Sequence, residues 1–483
     1  MASCTGSTHC GTYSPAPGDT FILMGCDVWT NSDLPVLWNW SGSSGSPITI
    51  GGEDKTWYNT TNCPSAWNRP VWNAGGAGLS PNVIFRAANS GNTAYGVLDN
   101  IEMKGMYCQA SNSANPYYCG DATHSAAIDH IQCFEGCTNW TFSNNYLHGW
   151  STTELQEEDN CTMFHGSSSM AGTVFTQNVI DGSDATTTCY GMYPSWPPVI
   201  SNNVMHDLPN GLVGSAGSGN SSVISGNQIY NILQGISAHA NALESTGTGT
   251  HYFYNNVIHD LAAGEALMIG NTNEVDYIWN NLWYNITGTP CNLSSCAGSM
   301  PEAPQDAGYT NMSIYAWNNT IVNGSGGGTP CFLSDSFSGT FAVVTIENTH
   351  CISSASIAAS TSWGSVSPIT PTLNNNVLMS PSTATSQGYT SSETYAYSPT
   401  AGTNGTVGKG KTICSVEKTC TGNFAALAND TNYACSQQTV NGVVQVVCPS
   451  RTVVPRQGSA GAYEYASSGS APTAPTGLTA VVH

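Results

Sequence analysis

"FYNNVIHDLAAG", from Phe253 to Gly264, is one member of a set. The chain also holds "FSNNYLHGW" (Phe142 to Trp150), "ISNNVMHDL" (Ile200 to Leu208), "ISGNQIYNI" (Ile224 to Ile232), "IWNNLWYNI" (Ile278 to Ile286) and "AWNNTIVNG" (Ala316 to Gly324). With the second Asn of each phrase as a register mark, the marks fall at Asn100, Asn145, Asn178, Asn203, Asn227, Asn256, Asn281, Asn319, Asn348 and Asn376. Their closest spacings are 24 and 25 residues and the widest is 45. A period of this size with irregular insertions is the signature of a solenoid. Two short strands flank each mark, as "HYFY" and "VIH" do around Asn256, and "EALMIG" supplies a third. Three strands and three turns per repeat describe an all-β fold, a single-stranded right-handed parallel β-helix of about ten coils. Coils about 4.8 Å apart would each cover the apolar face their neighbour leaves open.

The repeated Asn suits such a stack in two ways. It tolerates the left-handed backbone of a sharp bend, and its amide can hydrogen-bond the Asn of the next coil, so that a buried column is satisfied where a lone amide would not be. Three positions past the mark stand His148, Asp181, His206, Tyr230, His259 and Tyr284. These form either a metal or proton-relay column or a stack of rings and polar groups at a turn, with Asp207 and Asp260 as local partners.

Composition agrees with strands rather than helices. Charged residues make up 8% of the 483, against roughly 25% in an ordinary soluble domain, so the usual helix formers are scarce. Hydrophobic residues, at 40%, are enough for a core. The 18 cysteines include close pairs, Cys4 and Cys10, Cys108 and Cys119, Cys291 and Cys296, Cys414 and Cys420, Cys435 and Cys448. No paired CxxC pattern accompanies them, so they read as disulfides of an oxidising compartment. Pairing among Cys133, Cys137, Cys161 and Cys189 is open. The opening "MASCTGSTHC" shows no signal peptide and reads as a start Met on a mature secreted chain.

The net charge is −21, and no Lys or Arg lies between Lys104 and Lys409. A nucleic-acid backbone would find no cationic partner along that stretch, and no segment reads as inserting into a membrane. A neutral polysaccharide is the partner that fits, bound by a monomer.

The "NN-x-[IVL]-x-[HYD]" phrases and the ending "RTVVPRQGSAGAYEY" (Arg451 to Tyr465) resemble the secreted right-handed parallel β-helix proteins of the pectate-lyase-like superfamily, over roughly Ser80 to Tyr465. The resemblance implies carbohydrate chemistry but not one reaction, because this fold hosts lyases, hydrolases, epimerases and adhesins. Its lyases take a proton with Lys or Arg and neutralise a uronate with calcium. The absence of Lys and Arg after Lys104 departs from that pattern, as does the absence of the polygalacturonase phrases "NTD", "GHG" and "RIK". On this reading residues 1–79 are an N-terminal cap with the leading strands, and residues 80–465 are the β-helix. Residues 466–483 are a Ser/Ala/Pro linker opening a truncated fibronectin III-like module, with further modules beyond.

Candidate chemistry gathers where the chain leaves the pattern. "GISAHANALESTGTGTH" (Gly235 to His251) offers His239, Asn241 and Glu244, and "GEALMIGNTNEVDY" (Gly264 to Tyr277) offers Glu265, Asn271, Asn273, Glu274 and Asp276. Glu244 and Glu265 on adjacent coils would be the acid and the base or nucleophile that glycoside hydrolysis requires, with His239 beside them. "HIQCFE" (His130 to Glu135) echoes "HANALE" (His239 to Glu244), which suggests one coil position seen twice. Asn241, Asn271, Asn273 and Glu274 would bind hydroxyls, and Trp150, Tyr252, Trp279 and Trp283 would stack on sugar faces. Glu157, Glu158 and Asp159 in "TELQEEDNCTMFH" are candidate calcium ligands, on hard-oxygen grounds, though no cofactor is required for hydrolysis. The expected function is therefore a secreted glycoside hydrolase. The alternatives are a polysaccharide lyase with a His or Tyr base and calcium, and a non-catalytic glycan-binding or adhesin protein.

Overall fold

The computed structural model describes residues 13–77, 79, 82–108, 128–152, 161–185, 189–214, 221–232, 241–245, 247–261, 266–286, 302–303, 310–323, 331–334, 340–360 and 370–465. Its strands form three long sheets of 12, 13 and 11 strands, in which each strand pairs in parallel with the strand one coil away. The chain is a parallel β-helix. The first sheet holds the strands before the register marks, such as Thr250–Tyr254, and the second those after them, such as Val257–Leu261. The third holds the remaining strand of each coil, such as Leu243–Ser245 and Met268–Ile269.

The Asn column divides its two expected tasks between two adjacent positions. From Asn145 through Asn178, Asn203, Asn227, Asn256, Asn281 and Asn319, each Nδ2 donates to the next Oδ1 at 3.0–3.2 Å. Each Oδ1 also accepts the backbone N–H of the preceding Asn, and each Nδ2 also donates to a strand carbonyl, as Asn227 does to Ile200 at 3.0 Å. The left-handed backbone belongs to the residue before: Asn144, Gln177, Asn202, Gly226, Asn255, Asn280 and Asn318 all have φ near +55° to +67°. Asn100 and Asn348 also sit at that bend, with φ of 57° and 54°. They are thus one position out of register, and the rung positions hold Ile101 and Thr349. The ladder is interrupted at Thr349 and resumes at Asn376, whose Oδ1 accepts from the Thr349 N–H.

Inside the coils lies one continuous apolar core containing Phe142, Phe175, Ile200, Ile224, Phe253, Ile278 and Ile346. In the second-sheet column His206, Tyr230, His259 and Tyr284 stack with centroids 4.7–4.9 Å apart and planes within 10°. Asp207 and Asp260 hold the Nδ1 atoms of His206 and His259. The rings thus stack in the manner of the second alternative, and Asp181, His206 and Asp207 also bring ligating atoms within 4.8 Å of one another.

Among the described residues the coils begin at Thr20–Ile22, which pairs with Ile48–Gly51, so the leading strands of residues 1–79 are coil strands in register with the rest. They end at Val377–Met379, and a short helix, Pro381–Ser386, follows, with Ala384 and Tyr389 packed over Ile352 and Met379. Residues 390–465 then return along the outside. Lys411 N–H meets Asn348, the Asn429 carbonyl meets Asn280, Gln437 meets His206, and the Gly442 carbonyl meets Asn68. The "RTVVPRQGSAGAYEY" ending fastens this segment. Arg451 pairs with Asp430, half-buried Arg456 reaches Asn280 at 2.6 Å, and the Ala462 N–H donates to Thr320. Residues 466–483, with the expected module, lie outside the described residues.

Disulfides join Cys26–Cys63, Cys133–Cys137, Cys331–Cys351, Cys414–Cys420 and Cys435–Cys448. Two of these are close pairs expected from the sequence, and Cys133–Cys137 resolves part of the open pairing. Cys189 is also disulfide-bonded.

Candidate functional site

The described contacts of the returning segment fall on the first and second sheets and the turn between them. Ile413, Phe424 and Leu427 cover Tyr252, Tyr277, Trp279 and Trp317 on the first sheet. Of the four expected sugar platforms, the three Trp are buried and only Tyr252 keeps some exposure. Trp279 is buried under the chain's own cover, and Tyr252 is half-buried between Tyr277 and Phe424. Trp150 and Trp283 lie in the interior core.

The third sheet presents a row of outward side chains one coil apart. Leu37, Arg86, Gln132 and His165 are cross-strand neighbours in that order, and Val213, Glu244 and Met268 continue it. Tyr193 joins the two runs, its N–H donating to the Phe164 carbonyl. Strand alternation sets the row outside, because Phe85, Phe164 and Leu243 beside it point into the core. The row aligns Glu244 with Gln132, so the "HIQCFE" echo is three residues out of step.

The chemistry of the row is concentrated at Arg86, Gln132 and His165. His165 Nδ1 lies 3.4 Å from Asp129 Oδ1, which also accepts from Thr162 at 2.6 Å. Burial pulls the His165 pKa down, but the Asp129 charge outweighs it and the net shift is upward. Burial lowers the Arg86 pKa, and Asp129 partly offsets this. Arg86 stacks its guanidinium on Phe134, 4.5 Å from the ring centre, and Phe134 is 49% exposed. Arg86 Nη1 donates to Asn89 Oδ1 at 3.5 Å, whereas the buried Arg86 Nε and Gln132 Oε1 have no hydrogen-bond partner among the described residues. Arg86 and His165 are themselves partly exposed, and two bases beside an exposed ring are what an anionic ligand with an apolar face would meet.

By contrast, the charges of the second sheet near its start are satisfied. His148 sits between Asp184 at 2.6 Å and Glu102 at 3.2 Å, and Lys104 closes on Glu102 at 2.6 Å. Burial opposes the charged form of His148, but its two carboxylate partners raise its pKa overall. Burial likewise opposes ionisation of Glu102, but His148 and Lys104 bring its pKa down to about 2.

Of the expected catalytic residues, Glu244 is half-buried in the row, with Asn241 Nδ2 donating to it at 2.9 Å. His239 and Glu265 lie outside the described residues, as do the calcium candidates Glu157, Glu158 and Asp159. Asn241 is fully buried and tethered to Asn210. Asn271 and Asn273 shape a turn, Asn273 with φ 62° and accepting from Asn311. Glu274 is interior rather than substrate-facing: it is fully buried, accepting from Ser245 at 2.8 Å. Arg86, His165 and Asp129 escape sequence reasoning because each coil places a different residue type in the row. An apolar cavity of about 380 Å³ lined by Phe21, Trp29, Trp38 and Trp72 lies at the first coils, away from these groups.

Neither a protein-family model nor a curated protein matches the chain. Among solved structures it is similar to a GH136 lacto-N-biosidase from Eubacterium ramulus, with 10% identity over 76% of this chain and 63% of that one and a TM-score of 0.35. It is also similar to a PL6-family alginate lyase, with 13% identity over 76% of this chain and 49% of that one and a TM-score of 0.37. A third is a mannuronic acid-specific family 6 lyase from human gut microbiota, with 13% identity over 80% and 85% and a TM-score of 0.32. The chain thus spans less than two thirds of the first of these.

Proposed function

We propose that the protein is an extracellular carbohydrate-active enzyme, with a polysaccharide lying along the outer row of the third sheet. The disulfides fit an oxidising compartment, and no helix among the described residues is long and apolar enough to cross a membrane. Coils about 4.8 Å apart offer each pyranose unit its own side chain. The observation that carries the reading is the pair of partly exposed bases, Arg86 and His165, aligned in one row beside exposed Phe134.

Their charge favours an acidic glycan over the neutral one expected from the sequence, because Arg86 belongs to the row although it precedes the Lys-free stretch. The reaction that suits them is elimination next to a uronate. Arg86 pairs with the carboxylate and stabilises the charge that develops as the neighbouring C–H is broken. His165, held through Nδ1 by Asp129, takes that proton on Nε2. The C4–O bond then breaks, a C4=C5 double bond forms, and the departing oxygen is protonated from solvent.

Hydrolysis is the second reading, favoured by the place of Glu244 in the same row, with Glu265 as its expected partner. Incubation with acidic and neutral glycans separates the two. Elimination gives new reducing ends together with the ultraviolet absorbance of an unsaturated uronate, lost in His165→Gln. Hydrolysis gives reducing ends alone, lost in Glu244→Gln. Binding without either product would support the non-catalytic alternative, and neither binding nor turnover with any glycan refutes the carbohydrate reading.

A further inference from the structure

One inward column of the first sheet changes character midway. Ser222, His251 and Asp276 are cross-strand neighbours, one per coil, and Ile314 and Val344 continue the column in apolar form. Glu274 enters the same interior space from the preceding turn. His251, Glu274 and Asp276 are each fully buried. Ser222 Oγ lies 2.6 Å from His251 Nδ1, and Ser245 Oγ donates to Glu274 Oε1 at 2.8 Å.

Asp276 stands out because both of its carboxylate oxygens lack a hydrogen-bond partner among the described residues. A buried carboxylate left alone costs several kcal/mol, and no Lys or Arg lies along these coils to neutralise it. Lys418 meets Tyr277 only on the outer face, at 3.1 Å from the hydroxyl. The separations within the cluster are those of ligands rather than of partners. His251 Nε2 is 3.6 Å from Glu274 Oε1, long for a hydrogen bond, and ligating atoms of all three residues lie within 4.8 Å of one another.

We propose that His251, Glu274 and Asp276 bind a divalent first-row cation of the zinc type inside the β-helix. Two carboxylates match its charge, and one imidazole nitrogen favours it over calcium, which takes six to eight oxygens. Ser222 fixes the ring by accepting from Nδ1–H, which turns the Nε2 lone pair toward the ion, and Ser245 orients Glu274. The Gly247 carbonyl, 3.4 Å away, accepts from Nε2–H when no ion is bound, a bond that the ion would replace. The ion is structural, tying two consecutive coils from within, and stands independently of any reaction on the third sheet.

Elemental analysis of the whole protein, purified without chelator and dialysed, tests this directly. The expected result is about one tightly held zinc-type ion per chain, absent from the Glu274→Gln/Asp276→Asn variant. Stripping with a strong chelator should lower the thermal midpoint of the wild type, and zinc chloride alone should restore it. No retained metal, together with a midpoint indifferent to zinc, overturns the proposal and leaves two protonated acids. Retained calcium instead overturns the assignment of ligand class. Because the wild type carries the decisive measurement, a variant that fails to fold does not spare the proposal.

Discussion

Replacing Asn227 by Ala removes one rung from the middle of the ladder. The Asn227 Oδ1 accepts from the Asn203 N–H at 2.9 Å and from Asn203 Nδ2 at 3.0 Å. Its Nδ2 donates to the Ile200 carbonyl at 3.0 Å and to Asn256 Oδ1 at 3.1 Å. Ala strands two buried donors on Asn203 and takes one donor from each of two acceptors. Asn256 Oδ1 keeps its bond from the Asn227 N–H. At about 1–3 kcal/mol for each buried group left unpaired, the loss should be about 3–5 kcal/mol. Guanidinium unfolding followed by tryptophan fluorescence reads it, as a lowered midpoint at unchanged slope. Asn202→Gly is the control. That position has φ 58°, glycine fills it in the next coil as Gly226, and no rung is lost, so the cost should stay at or below about 1 kcal/mol. If Asn227→Ala costs no more than Asn202→Gly, the amides are not what holds the coils in register.

The interruption of the ladder predicts a gain. The buried Thr349 hydroxyl has no partner, and Thr349→Asn would offer the missing Oδ1 to Asn319, raising stability by about 1–2 kcal/mol in the same unfolding assay. On the third sheet, the rate should rise with pH through the titration of His165, whose pKa lies above its ordinary value. Asp129→Asn should move that limb to lower pH, whereas a merely structural Asp129 would lower activity without moving it. Acid should unfold the protein early. Burial holds His130 and His350 at about 3, below the unfolded value of about 6.5, so the unfolded chain binds more protons below pH 6.5. Each should remove about 1.4 kcal/mol per pH unit as pH falls from there toward 3. Unfolding free energies measured between pH 7 and pH 4 that show no such decline would refute this.

The solenoid was legible because one residue type recurs where the fold demands one interaction. The boundary between bend and rung was not, because both neighbouring positions accept Asn. "DNIEM" and "ENTH" therefore put Asn100 and Asn348 one residue out, with Ile101 and Thr349 on the rungs. The candidate site was largely hidden. Arg86, Gln132, His165, Tyr193 and Glu244 share a row but no letter, and the loops between them vary in length, so only strand register aligns them. Burial of Trp279 beneath Phe424 and Leu427 depends on residues about 150 positions away in the chain, a distance over which local patterns carry no information.

An open solenoid can gain or lose a repeat without altering the rest, and this one cannot. The chain's final stretch grips the stack at fixed stations, Lys411 at Asn348, Asn429 at Asn280, Gln437 at His206 and Gly442 at Asn68. It works as a length gauge. Excising the repeat from Gln228 to Asn256, between the His206 and Asn280 stations, would shorten the cylinder while the gauge kept its span, so the stations on one side of the cut would fall against the wrong partners. Repeat number in this protein is therefore locked by a segment that contributes no repeat of its own.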